Sequence, residues 1–161
     1  MKALCFIATS LFAITVSASL LALGPPPAQG TDKLPEAPGK AVVITVCGSC
    51  HTVDLIPDSR MTVANWNGAV ESMKEFGATA SDEEWQTVKD YIVVHFALLE
   101  VNKAPAKEIS QVLRVDEKVA EDIVAYRQKQ GPFKTVDDLK AAPGVDAATL
   151  DALAPRLMFG N

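Results

Sequence analysis

Residues 47–51 read C-G-S-C-H. Two cysteines bracket two small residues, and a histidine follows at once. Three nucleophilic or ligating side chains therefore fall within one turn of chain. Such a cluster ties its segment to a metal, a disulfide or a covalent group, and the rest of the chain must fold around it. A structural zinc site needs four ligands. Cys47, Cys50 and His51 offer three, and His95 is the one natural fourth. A redox dithiol needs a strand-to-helix turn in a thioredoxin-like setting. No strand pattern is found anywhere in the chain, although a small disulfide inside the motif remains open.

Haem attachment uses every residue of the motif. Two cysteines three positions apart on a helical turn reach the two vinyl groups on one porphyrin edge. The resulting thioethers consume both thiols, and His51 is placed to ligate iron. Iron then usually takes a sixth ligand, and Met61, Met73, His95 and Met158 lie downstream. Met73 leads, because Trp66, Val70, Met73 and Phe76 recur at helical spacing and put its thioether on an apolar face. A thioether ligand raises the reduction potential. The plainer reading of Met73 is a core filler.

The chain's start bears on the thiols. Met1-Lys2 is followed by an apolar run from Leu4 to Leu23, then by G-P-P-P-A-Q-G at 24–30. This reads as a signal peptide over residues 1–30, cut near Gly30 or else at Ala18 or Gly24. An uncut segment would instead anchor the chain in a membrane. Cys5 leaves with the leader, so the mature chain keeps Cys47 and Cys50. Export to an oxidising compartment, here a periplasm, disfavours two free thiols.

Helical signals continue through the chain of 161 residues, of which 48% are hydrophobic. Residues 41–51 read as a short buried helix and 52–62 as a loop. A helix is expected from near Thr62 to Gly77. Ser81 and Glu84 form a capping box before a helix carrying Trp85, Val88, Ile92 and Phe96 or Leu99. Further helices are expected at 106–112, 116–130, 136–141 and 147–154. Residues 31–100 hold 5 basic and 11 acidic residues, whereas 101–161 hold 9 of each. That shift sets two domains, 31–100 and 101–161, with a boundary near Val101. The net charge of −5 argues against bulk attraction to nucleic acid or anionic lipid.

C-G-S-C-H with Arg60, Trp66, Met73 and Gly77-Ala78 resembles the small single-haem c-type cytochromes of bacterial periplasms. The resemblance covers about residues 36–100. It implies a short cytochrome c fold, one covalent haem c on Cys47 and Cys50, His51 as proximal ligand and Met73 as distal ligand. The interval from Cys47 to Met73 is shorter than in larger members. Trp66, Trp85 and Tyr91 are expected to pack the haem or the helix interface.

Residues 101–157 resemble a tandem helix-hairpin-helix module, on V-N-K-A at 101–104, A-Y-R-Q at 125–128, G-P-F-K-T-V-D-D-L at 131–139 and P-G-V at 143–145. Similar segments occur in bacterial DNA-uptake competence proteins and in an extrinsic photosystem subunit. Such hairpins hold phosphate with backbone N–H groups, and glycines permit the close approach. Here the first hairpin, L-R-V-D-E-K at 113–118, lacks glycine. The second keeps Gly144 but has Asp146 where a second glycine is expected. A docking module for protein is therefore favoured over a grip on nucleic acid.

The sequence thus predicts an all-α chain, a small cytochrome c domain followed by a tandem helix-hairpin-helix domain. Its expected role is that of an exported electron carrier rather than an enzyme. Its partners would be redox proteins, with a dehydrogenase as donor and an oxidase or another cytochrome as acceptor. An exported DNA-binding or scaffold protein with a haem sensor is the alternative. A haem enzyme with an open distal site is the third reading.

Overall fold

A computed structural model describes residues 30–160. The expected signal peptide at 1–30 lies almost wholly outside these residues. Among the described residues no helix is long and apolar enough to cross a membrane.

The elements run in chain order. They are α1 (Lys40–Cys47), α2 (Leu55–Asp58), α3 (Val63–Glu75), α4 (Asp82–Phe96), β1 (Leu99–Glu100), α5 (Ala106–Leu113), α6 (Glu117–Gln130), α7 (Val136–Lys140), α8 (Ala147–Leu153) and β2 (Leu157–Met158). The architecture is mostly helical, in agreement with the all-α expectation. Three features differ from the expected elements: the helix expected over 41–51 stops at Cys47, where Gly48 takes the chain into a turn that holds Cys50. The segment 52–62 contains the one-turn helix α2, and β1 pairs with β2 in parallel, Leu99 opposite Leu157 and Glu100 opposite Met158. Strands of two residues are too short to carry a period-two pattern.

Local chemistry sets the helix ends. Thr62 caps α3 by accepting from the Asn65 N–H at 3.3 Å. Gly77, at φ 98°, ends the α3 run. The Ser81–Glu84 box is complete: Ser81 Oγ accepts from the Glu84 N–H at 3.2 Å, and Glu84 Oε2 accepts from the Ser81 N–H at 2.7 Å. Those bonds hold the Glu84 carboxyl below its usual pKa. Thr135 and Asp138 build a second box at the start of α7.

α4 is the central beam, packed against α1, α2, α3 and α5. Its buried stripe of Trp85, Val88, Tyr91, Ile92 and Val93 joins Val43 and Val46 of α1 to Ile109, Val112 and Leu113 of α5. One buried cluster therefore runs from Leu34 through Ile123 and Leu139 to Leu157. Each fully buried Leu, Ile or Val in it contributes about 1.5–3 kcal/mol over an exposed one. The lead-in is held as well: Leu34 is buried, and the Tyr91 hydroxyl donates to Pro35 O at 2.7 Å.

Candidate functional site

α1 delivers the motif. It ends at Cys47, Gly48 caps it, and residues 48–50 turn before the chain reaches His51. Ser49 Oγ donates to Val46 O at 2.9 Å and fixes that turn. His51 is exposed, and its Nδ1 lies 2.9 Å from Thr52 O. A carbonyl oxygen can only accept, so Nδ1 carries the proton. In the neutral ring that tautomer leaves the lone pair on Nε2, the arrangement that metal-ligating histidines use.

Two cavities flank the motif. The first, about 310 Å³, is lined by Val46, Cys47, Cys50, His51, Met73, Phe76, Ala78 and Trp85. The second, about 200 Å³, is lined by Cys47, His51, Leu55, Ile56, Met61, Trp66, Val70, Met73 and Ile92, among others. Cys47, His51 and Met73 belong to both linings. The cavities are thus two lobes of one crevice between α1, α3 and α4, and its walls are mainly apolar. Cofactor pockets typically measure about 300–1,000 Å³.

The structure therefore brings Cys47, Cys50, His51 and Met73 together. Met61 reaches only the second lobe. His95 lines neither lobe. It packs on Tyr91 with ring centroids 4.6 Å apart, and its Nδ1 lies 3.2 Å from the Arg114 guanidinium. Burial first, then Arg114 and Arg156, push the His95 pKa down. Met158 sits in β2, and it too lines neither lobe.

The face expected to carry Trp66, Val70, Met73 and Phe76 needs one correction. Trp66 and Val70 are buried, but Phe76 is 81% exposed. Helical spacing puts Phe76 on that face, yet nothing covers it there, because α3 ends at the mouth of the crevice. Leu55, 59% exposed, lies on the lining of the second lobe. Trp85 and Trp66 line the crevice, whereas Tyr91 supports the lead-in. Trp66 Nε1 is buried and has no hydrogen-bond acceptor among the described residues.

The competing chemistries fit less well. Cys47 and Cys50 are free thiols. Burial pushes the Cys47 thiol pKa up, the reverse of the lowered pKa that makes a dithiol reactive. Among the described residues no three His, Cys, Asp or Glu side chains are grouped to hold a metal ion. His95, the fourth ligand that a zinc site on Cys47, Cys50 and His51 would need, lies off the crevice beside Tyr91 and Arg114.

The C-terminal hairpins have their own geometry. The first, between α5 and α6, turns through Arg114 in a left-handed conformation, φ 57°. Glycine or asparagine is the usual residue in that conformation. The second turns at Gly144, φ 85°, where a Cβ would meet Val119 at 3.0 Å. Asp146 then caps α8: its Oδ2 accepts from Thr149 N at 2.8 Å and Thr149 Oγ1 at 3.0 Å. Several module lysines are matched to carboxylates, Lys118 to Asp122 and Lys140 to both Asp137 and Asp151.

A known family model matches this stretch. Residues 94–158 match the helix-hairpin-helix motif. The match starts inside α4 and leaves out the crevice residues 47–73. A segment of 53 residues is 40% identical to endonuclease/exonuclease/phosphatase family domain-containing protein 1 of Rattus norvegicus, and covers 33% of this chain. The Homo sapiens protein of that name is 38% identical over 53 residues. The chain spans only 9% of either protein's length. An uncharacterized protein of Haemophilus influenzae is 39% identical over 62 residues, 38% of this chain and 55% of that one. No solved structure gives a significant match.

Proposed function

We propose that the chain is an exported c-type cytochrome. One haem would be held by thioethers to Cys47 and Cys50, with His51 and Met73 as axial ligands. The observation that carries this reading is the convergence of those four side chains on one apolar crevice. The free Nε2 of His51 and the acceptor-less N–H of Trp66 add to it, since haem carries two carboxylates that can accept a hydrogen bond. Bound haem would supply a one-electron couple. The chain's residues would do the rest: His51 and Met73 would ligate the iron, and Trp66, Val70 and Ile92 would keep water from the second lobe. Phe76 on the first lobe and Leu55 on the second would form an apolar rim for a redox partner protein. With both iron ligands supplied by the chain, it would carry electrons rather than transform a substrate. The helix-hairpin-helix module would serve as a docking element.

The test is maturation in a host that attaches haem c, followed by acid-acetone extraction of the denatured chain. Haem that stays on the polypeptide, and is lost in the Cys47→Ser, Cys50→Ser double variant, is the expected result. Haem that extracts freely overturns the reading.

The matched motif favours a second reading, an exported nucleic-acid-binding protein. Helix-hairpin-helix modules of the DNA-uptake kind hold phosphates at their hairpins. Against that, the Asp146 carboxylate already takes one backbone donor at the start of α8, the Thr149 N–H. Retention on double-stranded DNA that falls steeply with salt would favour this reading over a docking role.

A further inference from the structure

The C-terminal segment meets the crevice wall at several points. Arg156 Nε donates to Ala97 O, Nη1 to Val94 O and Nη2 to Val93 O, each at 2.9 Å. These carbonyls lie at the C-terminal end of α4, where helical partners run out and the dipole is negative. Arg156 makes no salt bridge among the described residues, so the helix end is its counter-charge. Arg60 Nη2 donates to Pro155 O at 2.9 Å. One step on, Leu157 pairs with Leu99. The Leu98 N–H donates to Met61 O at 2.8 Å, and Thr62 bridges Leu98 in parallel.

Residues 60–62, 97–100 and 155–158 thus form one seam. Both of its inner partners reach the crevice. Met61 lines the second lobe, and α4 contributes Ile92 to that lobe and Trp85 to the first. The wall is therefore fastened from outside, by a segment that begins ninety-odd residues later in the chain.

We propose that Arg156 is a positioning residue for the crevice: through it the C-terminal module fixes the end of α4 and the Met61 wall. A planar guanidinium fork presents its donors in fixed directions and so holds these three carbonyls in one set geometry, whereas the three donors of an ammonium rotate freely on a flexible stem. The consequence is that the helix-hairpin-helix module tunes the crevice rather than riding on it. The redox arm of the test below rests on the haem reading, whereas the exchange arm does not.

The test uses the full chain after maturation. Arg156→Ala and Arg156→Lys are compared with Leu150→Ala, a change at a fully buried residue of α8 that makes none of these bonds. Amide exchange at Leu98 and the reduction midpoint are measured on each. Arg156→Ala is expected to lower Leu98 protection at least about tenfold, as local opening spreads along the seam, and to shift the midpoint. Arg156→Lys should fall between it and wild type. Leu150→Ala should lower the melting temperature with smaller effects on both readouts. Arg60→Gln, which breaks only the outer bond to Pro155, should move the same readouts less, and it decides the matter if Arg156→Ala does not fold. Equal effects from Arg156→Ala and Leu150→Ala would overturn the proposal, as would, where Arg156→Ala does not fold, an Arg60→Gln variant that leaves Leu98 protection unchanged. Failure of haem to attach would sink the cytochrome reading alone, and Leu98 exchange would then decide this one.

Discussion

Trp66 offers a test in which the presence of haem changes the cost of one substitution. Its side chain is 5% exposed and lines the inner lobe, and its indole N–H has no acceptor among the described residues. Leaving such a donor buried and unpaired costs about 1–3 kcal/mol. Trp66→Phe removes the donor and so recovers that cost in the haem-free chain. It also loses ring volume, a cavity penalty of about the same size. The two nearly cancel, and the haem-free stability should change little. In the haem-loaded chain the N–H can be paired with a haem carboxylate, so there is no cost to recover and only the penalties remain. The substitution should therefore be more damaging in the loaded form by about 1–3 kcal/mol. With a urea slope of about 1–3 kcal/mol per molar, the midpoint shift caused by the substitution should be larger in the loaded form by roughly 1 M. Urea unfolding of Trp66→Phe and its parent, each with haem and as the Cys47→Ser, Cys50→Ser form, gives the four midpoints. Equal losses in both forms would refute the assignment of the Trp66 N–H to a bound group.

Other outcomes follow from the same structure. The His95 pKa is pushed down by burial and by Arg114 and Arg156, so the unfolded chain binds more protons as pH falls through the ordinary histidine range near 6.5. Stability should drop from pH 7.5 to 5.5, and thermal melts of His95→Gln should show a flatter profile. Leu150→Ala should cost about 2–5 kcal/mol and lower a single melting transition, because one buried cluster runs through both halves of the chain; calorimetry resolving two transitions would contradict this. Asp146→Gly removes a carboxylate worth about 1 kcal/mol against a phosphate at about 4 Å in water, at a capping cost of only a few tenths. DNA retention at low salt should rise about fivefold if the hairpin can hold phosphate at all, and fluorescence anisotropy would read it.

Local chemistry was the legible part of this chain. Thr62, Gly77 and the Ser81–Glu84 box fixed the ends of α3 and α4 because caps act over three or four residues. The crevice was legible to the extent that C-G-S-C-H and the Trp66–Met73 spacing name its walls. Phe76 was not, since periodicity assigns a residue to a face without saying whether anything covers that face. β1 and β2 escaped because their pairing joins residues far apart in the chain. Arg114 hid behind the expectation of glycine, yet its side chain reaches toward Val94 O and His95. Arg156 carried no local signal, since all its partners lie about sixty residues away.

That long-range seam also bears on the choice between docking and DNA binding. A tandem module that grips a duplex presents both hairpins to the phosphates. Here the first hairpin leans on the N-terminal half: Arg114 lies against His95 and the end of α4, and Val112 and Leu113 belong to the common core. The second has its helix start filled by Asp146. Freeing the first would expose core and strip a cationic partner from α4, and freeing the second would cost a helix cap. Both hairpins are thus committed to the fold itself. Under the proposed reading such a module would brace the crevice and meet another protein on its outer face, and DNA binding at physiological salt is the outcome that would refute it.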